Sequence, residues 1–387
     1  MAFKVSEIDS LEALERLAGP WRELLQRVPH DSPYLTPDFM IPWVRMLAGR
    51  YRLAMIAVHD GERLVGLAPL FERRVGQWGI DFVMRTFPLH GLSPPFDLIV
   101  DPNAAGVVDA LLAHLLTRRR GDRRWHLVEL LNVPADSSNI AALRAAVPRH
   151  GARFEEHPGL TTTFVPMAAG WDTYLASLPR ALRKTIRQGE RRLAQTAPVR
   201  VVRCPQDGMA VADGIALALD VISRSWKRFD DEAVDWPAFF RDFCARLAAR
   251  DMLCLRFLMV GERAAAYHLE IAYRGNLHGL HNAYDLSMGA GAPGAVLLAD
   301  AIRDAHARGC ERFDFLGTKE YLERWAQASR NHVRLRIVDR RPIARVKTAL
   351  YDRIARARKA RAEREEEAVR LARLGRAPAV ADGDAST

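Results

Sequence analysis

The sequence predicts an α/β protein built from two similar units, each a mixed sheet flanked by helices, with a basic segment added at the C-terminal end. Three observations point there. Stretches of period-2 alternation and stretches of 3.6-residue periodicity follow one another along most of the chain. The order hairpin, glycine-rich stretch, helix, strand occurs twice: VHDGERLVGLAPL and AAGVVDALLAHLL in the first half answer to MVGERAAAYHLEI and APGAVLLADAIRD in the second. Finally, the 387 residues are 49% hydrophobic and 27% charged, enough for two cores and ordinary for a globular protein, which excludes collagen-like, low-complexity and wholly disordered chains.

The elements follow in order. Apolar spacing gives a helix around 10–27, then a proline-punctuated loop through Pro42. The alternation in LAMIAVHDGERLVGLAPLFERR reads as two strands turning at Asp60-Gly61. Loops and short strands fill the Gly- and Pro-rich stretch that follows, the last strand near 96–100. Helix 104–118, strand 125–131, helix 138–149 and strands near 152–156 and 161–166 close the first unit. The boundary falls near 167–170, which makes 1–168 one unit and 169–340 the next. The second unit begins at Trp171. It holds a helix over 180–195, a strand at 199–203 and long helices over 208–228 and 236–249. The strands 253–260 and 264–273 turn at Gly261-Glu262-Arg263, and strand 277–284 leads into a glycine loop. Helix 294–308, strand 312–316, helix 319–328 and strand 332–339 complete it.

Charge is unevenly placed. Residues 340–376 carry thirteen Lys or Arg against five acids, whereas residues 1–339 have a surplus of only four, so the net +10 is largely a property of the C-terminal segment. Residues 341–387 read as a basic helical segment and disordered tail. As a solvated face the segment needs no partner; as an electrostatic foot it suits an anionic membrane surface or nucleic acid. RNA binding usually adds aromatics for stacking, and this stretch offers only Tyr351. Cys204, Cys244, Cys254 and Cys310 are widely spaced, which excludes a cysteine-based zinc module and points to a reducing compartment. The N-terminal stretch has no apolar signal core, and no apolar run is long enough to span a membrane. The expected setting is cytoplasmic, with contact at the inner face of the membrane if the basic segment docks there. The twelve histidines show no metal-ligand spacing, so no metal is expected.

The strongest chemical signal is Gly289-Ala290-Gly291-Ala292-Pro293-Gly294, between a strand and a helix. It fits G-x-G-x-x-G, with Asp314 twenty residues beyond Gly294. A nicotinamide site is disfavoured by context: the preceding strand HGLHNAYD is polar, four residues intervene, and no further βαβ units remain. Glycines that let an anion approach the backbone, and the free N–H groups of a helix start, still suit a pyrophosphate. A plain loop with Pro293 at the first helical position is the alternative.

The order of elements, together with Arg224-Ser225-Trp226-Lys227, Ala283-Tyr284-Asp285, Ala292-Pro293-Gly294 with Leu297-Leu298, Asp314-Phe315-Leu316-Gly317, Tyr321 and Trp325, resembles the GNAT-type acyltransferases akin to the cellulose-biosynthesis protein CelD. These are related to Fem-type peptidoglycan transferases. The resemblance covers about 170–340 clearly and the first half more loosely. It implies tandem GNAT-like domains, the first degenerate and the second binding acyl-CoA, acetyl-CoA in the first instance, at Gly289, Ala290, Gly291, Ala292 and Gly294. The implied activity is acyl transfer to an amino or hydroxyl group of a small molecule or saccharide precursor of the cell envelope. Two alternatives stand beside it: a Fem-like transferase using charged tRNA, and an inactive scaffold that binds a partner. The sequence departs from the family pattern at Leu286, where Arg or Gln opens the loop, and at His281 and Leu322, where Lys is common.

Acyl transfer needs a base for the nucleophile, donors for the oxyanion and an acid for the leaving thiolate. His281, Tyr284 and Asp285 sit at the exit of the strand before the loop. Plain alternation puts His281 with Leu277 and Gly279, opposite His278, Leu280 and Asn282. His281 is a candidate base or an ordinary strand histidine. Glu270, between Leu269 and Ile271, is a candidate acid or a salt-bridge partner. Tyr321 holds the place of a thiolate-protonating tyrosine, or else packs. The helix PRALRKTIRQGERRL aligns Arg183 and Arg187 on a basic face that is either solvated or a cradle for an acidic acceptor. Trp226 and Lys227 offer an aromatic wall beside a cation, and Asp314 completes the expected substrate contacts. There is no G-x-S-x-G, H-E-x-x-H or P-loop.

Overall fold

A computed structural model describes residues 3–77, 80–88, 94–116, 125–226, 235–317 and 320–373. The first half comprises β1 (Lys4–Ile8), α1 (Leu11–Arg27), α2 (Pro37–Leu47), β2 (Arg52–Leu53), β3 (Met55–Asp60), β4 (Arg63–Ala68), β5 (Phe71–Gln77), β6 (Ile80–Thr86), β7 (Ile99–Val100), α3 (Val107–Leu116), β8 (Leu127–Pro134), α4 (Ser138–Ala146) and β9 (Arg153–Pro166). The second comprises α5 (Trp171–Ser177), α6 (Arg180–Thr196), β10 (Val199–Cys204), α7 (Val211–Ser223), α8 (Trp236–Ala248), β11 (Leu253–Val260), β12 (Arg263–Tyr273), β13 (Asn276–Tyr284), α9 (Pro293–Ala307), β14 (Arg312–Asp314), α10 (Glu320–Glu323), β15 (Ala328–Val338) and α11 (Pro342–Arg373).

The expected mixed α/β architecture is present. A four-stranded antiparallel sheet, β1-β3-β4-β7, belongs to the first half, and β10-β11-β12-β13 repeats that order in the second. The second set is one end of an eleven-stranded sheet that continues β14-β9-β15-β8-β6-β5-β2. Among the described strand pairs, β13–β14 and β6–β8 are parallel and the others antiparallel. The halves exchange their last strands: β9 lies between β14 and β15, and β15 lies between β9 and β8. Every residue of β11 is buried, as an apolar run covered on both faces requires. On one face α7 and α8 build a core continuous with the first half, where Phe39 meets Phe243 and Trp43 meets Phe239. On the other face α9 and α6 cover the strands.

Several boundaries differ from the sequence expectation for local reasons. The stretch read as a proline-rich loop contains α2: Thr36 caps it by accepting from the Phe39 amide, Pro37 takes the first helical position, and Pro42 is held inside by burial. The two strands near 152–156 and 161–166 are one, β9, carried through Pro158-Gly159. A Cβ on Gly159 would meet the His332 carbonyl oxygen at 2.8 Å, so a glycine is needed where the strands touch. Helix 208–228 stops at Ser223 among the described residues, and helix 319–328 shrinks to Glu320–Glu323 because Ala328–Asn331 are drawn into pairing with Thr161–Phe164.

Candidate functional site

The site begins with an irregularity in β13. Its register against β12 runs Leu269↔His281 and then Glu270↔Gly279, so Leu280 has no opposite number and forms a bulge. The bulge reverses the faces beyond it. Gly279, Asn282 and Tyr284 share the α9 face, opposite Glu270, His268 and Ala266, while His278 and His281 share the other, opposite Ile271 and Leu269. The simple alternation that grouped His281 with Leu277 and Gly279 is thereby corrected. β13 pairs with β14 only at Leu277↔Phe313 and His278↔Asp314. There β14 ends, with the Asp314 carboxylate accepting from the Leu316 amide at 2.8 Å and Leu316 in a left-handed conformation (φ 59°). The Phe315 amide turns to the Thr163 carbonyl instead. The rest of β13 therefore parts from its neighbour and leaves a gap with two distinct sides.

On the α9 side lie Tyr321, Asn282, Tyr284 and the glycine loop. Tyr321, 38% exposed, is brought over β13 by the short α10, and the Asn282 amide reaches its hydroxyl at 3.4 Å. Tyr284 packs beside the loop: a Cβ on Gly294 would lie 3.5 Å from its ring, and one on Gly289 would lie 3.8 Å away. The loop is a 3-10 turn over Leu286–Gly291 followed by Ala292 in the left-handed region (φ 45°) and Pro293 at the start of α9. Gly294, at the second helical position, presents an amide with no carbonyl a turn behind it in the helix. Gly291 meets a packing requirement that the sequence did not reveal. A Cβ there would come within 2.5 Å of Leu193, and one on Gly189 within 2.5 Å of the Gly291 oxygen. These two glycines let α6 lie against the loop, where Arg192 donates to the Ala290 carbonyl at 2.9 Å. Trp226, 62% exposed, follows Arg224, whose carbonyl accepts from the Leu286 amide at the loop's start. Lys227 lies outside the described residues.

Two carboxylates among the catalytic candidates are held in ion pairs, which for Glu270 is the salt-bridge alternative and for Asp285 differs from the expected role. Glu270 is fully buried and accepts both arms of Arg256 (2.9 and 3.1 Å) and a His268 contact (3.0 Å). Arg256 also reaches Asp300 at 3.0 Å and Asp304 at 2.8 Å, tying β11 and β12 to α9. Burial alone would raise the Glu270 carboxyl, but the Arg256 charge and the His268 and Arg256 bonds outweigh it and hold it at about 2. It is a charge clasp, a poor proton acceptor at neutral pH. Removing one partner of such a pair typically costs about 3–5 kcal/mol. Asp285 accepts from the Ser287 amide (2.9 Å) and hydroxyl (2.7 Å), from Arg263 (2.5 Å) and from Arg224. Burial again raises the carboxyl, but the Ser287, Arg263 and Arg224 bonds bring it to about 2. Asp285 anchors the loop and moves no proton.

On the opposite side of the gap His281 bonds through Nδ1 to the hydroxyl of Tyr267, which is buried and whose ionisation burial pushes well up. Beyond it, a cavity of about 350 Å3 opens between the two halves. His278, Arg312 and Asp314 line it from the second half, and His30, Asp31 and Asp97 from the first. Asp31 bridges Arg312 (2.5 Å) and Arg330 (3.2 Å). Burial raises the Asp314 carboxyl, and it raises Asp97 to about 6 against the opposing bonds from Ser137 and Asn139. The sequence assigns His278 a strand face but no functional role; its one signal is its position three residues before His281. Arg183 and Arg187 stand elsewhere, with Arg180, Arg200 and Arg303 in a separate recess of about 880 Å3 between α6 and α9. The structure does not bring them to Asp314. No group of three or more His, Cys, Asp or Glu side chains able to hold a metal occurs among the described residues.

Residues 180–327, which hold the parted strands and the glycine-led helix, match the family described as acetyltransferase (GNAT) domain. The fold as a whole is similar to that of FemX (TM-score 0.55, 12% identity, 89% of this chain and 99% of that one). It is also similar to the C-terminal domain of a putative lysylphosphatidylglycerol synthetase from Agrobacterium fabrum (TM-score 0.51, 12% identity, 88% and 96%). L-PGS from Bacillus licheniformis matches to the same degree (TM-score 0.51, 12% identity, 87% and 96%). At these identities the likeness is one of fold. By sequence, no curated protein matches the chain.

Proposed function

We propose that the protein transfers an acyl group, acetyl in the simplest case, from acyl-CoA to an amine or hydroxyl acceptor. The observation that carries this reading is the two-sided gap between β13 and β14, within the stretch that matches the GNAT domain. On the α9 side, the Gly294 amide receives the pyrophosphate, helped by the positive end of α9, and Gly289, with no side chain, leaves room for its approach. Tyr284 walls the path from loop to gap. The bulge at Leu280 frees backbone hydrogen-bonding groups at the point where an oxyanion would form. From the other side His281, oriented by Tyr267, takes the proton of the attacking nitrogen or oxygen. Tyr321, steadied by Asn282, returns a proton to the departing thiolate. The acyl group leaves sulfur for the acceptor atom, and the two protons balance.

The acceptor implied by the CelD-like resemblance is a saccharide precursor of the envelope. A second reading, aminoacyl transfer from charged tRNA, draws support from the arginines of the α6 recess, which suit a polyanion. Calorimetry with acetyl-CoA and with charged tRNA separates the two. Acetyl-CoA should bind with modest salt dependence, and Gly289→Asp, whose Cβ would meet nothing nearer than the Tyr284 ring at 3.8 Å, should weaken it about tenfold or more by repelling the pyrophosphate. Tight, steeply salt-dependent tRNA binding with no acetyl-CoA binding would replace the first reading by the second.

A further inference from the structure

We infer that the cavity between the halves is the acceptor site, and that it takes an uncharged or cationic, hydroxyl-rich molecule of about monosaccharide size while rejecting anions. The inference deepens the transferase reading and rests on it for the word acceptor. The site itself stands on unpartnered groups. His278 is 2% exposed, lines the cavity, and has no hydrogen-bond partner at either ring nitrogen. Tyr34, also 2% exposed, lines it with an unpartnered hydroxyl and stands edge-on to the His278 ring, 5.9 Å between centroids. Asp314 has one oxygen engaged by the Leu316 amide, and its other is no nearer than 3.9 Å to Arg312 Nε, which is itself unpartnered. Leaving such groups dry typically costs about 1–3 kcal/mol each, so a wet or ligand-filled cavity is expected.

Their chemistry selects the ligand. A neutral imidazole and a phenol each both donate and accept, as does a hydroxyl group, and a carboxylate accepts from hydroxyl or ammonium. The cations present are already engaged: Arg312 by Asp31, and Arg330 by Asp31 and Asp136. Burial, reinforced by Arg312, lowers His278 to about 3, so it adds no positive charge at neutral pH. Four carboxylates, Asp31, Asp97, Asp136 and Asp314, face two arginines, which disfavours phosphate or carboxylate. His278 and His281 share one face of β13, so a molecule held at His278 lies on the side from which His281 would take a proton.

The test is saturation-transfer NMR on the full chain with glucose, glucosamine, glucose 6-phosphate and glutamate at millimolar concentration. Glucose and glucosamine should receive saturation, and the two anions should not. Asp314→Asn and Tyr34→Phe, both close in shape to the native side chains, should each weaken glucosamine binding about tenfold or more, with the far-ultraviolet circular dichroism unchanged. Equal transfer to the anions, no transfer to either sugar, or binding unaltered in both variants would overturn the assignment. Acetyl-CoA affinity, measured on the same samples, separates the layers. Glucosamine bound without acetyl-CoA sinks the transferase reading and leaves the binding site; acetyl-CoA bound without any sugar sinks the site alone.

Discussion

Tyr321 and Asn282 reach the same point from different elements, one from the short α10 and one from the far side of the β13 bulge. That convergence makes Tyr321 the group to test for the leaving thiolate. Tyr321→Phe keeps the ring and removes the hydroxyl. It should lower kcat by about 10²-fold, the low end for a general acid because a thiolate already leaves readily, with acyl-CoA affinity nearly unchanged. Turnover at the native rate with chemistry limiting would sink the assignment. His278 supplies a prediction in pH. Its imidazole is held neutral in the fold by burial, with Arg312 adding to the effect and Asp31 opposing it, whereas in the unfolded chain it gains a proton below about 6.5. A depressed histidine contributes stability that is present above its unfolded pKa and is lost as pH falls toward its folded value of about 3. His278→Gln removes that dependence. Urea denaturation should show the native chain losing stability relative to the variant between pH 7.5 and pH 5; a constant difference would refute it. The acid at Glu270 was visible in the sequence as an oddity inside a strand, but its partners were not. Arg256 is placed by the β11–β12 register, and Asp300 and Asp304 by the way α9 lies on the sheet.

At the scale of elements, the glycine loop was legible as a strand-to-helix turn, and its start at Pro293 was legible too. The division of labour among its glycines was not, because Gly291 answers to α6, a hundred residues earlier in the chain. The periodicity of α6 correctly marks Leu182, Ile186 and Leu193 as its buried stripe. The few apolar residues at the start of α11 are divided between two sides of the helix. Tyr351 stacks on Phe82 at 4.8 Å and Asp352 pairs with Arg336, so one side of the helix is docked. Ile343, Val346 and Leu350 stay exposed on another side, in a segment rich in Lys and Arg. An apolar stripe rimmed by cations is the pattern of a helix that lies on an anionic bilayer, each cation adding about 1 kcal/mol near the surface. The full chain should therefore co-sediment with vesicles containing phosphatidylglycerol and not with phosphatidylcholine alone. Replacing Ile343 and Val346 with Asp should abolish it. Equal sedimentation with both lipids, or none with either, would refute the docking. No helix among the described residues is long and apolar enough to cross a membrane.

At the scale of the whole molecule, the exchange of β9 and β15 joins strands of both halves in the eleven-stranded sheet. β15 is paired along its length with β9 of the other half and on its opposite edge with β8. Residues 169–340 expressed alone lack both neighbours of β15, so that strand would expose two unpaired edges. The fragment should be insoluble or unfold without cooperativity, and co-expression with 1–168 should restore a soluble complex. A fragment that is monomeric and unfolds cooperatively would contradict this.

What the sequence determined by itself is what periodicity and local chemistry encode: the α/β class, the repeated order of elements, the glycine turn into α9 and most helix spans. These depend on residues within one or two turns of each other. The tertiary structure alone decided the exchanged strands, the bulge that moves His281 to the face of His278, the ion pairs that remove Glu270 and Asp285 from proton transfer, and the cavity between the halves. Each is set by contacts between residues far apart in the chain. There, close packing and the need to satisfy buried charge override the local pattern, and no period in the sequence carries that information.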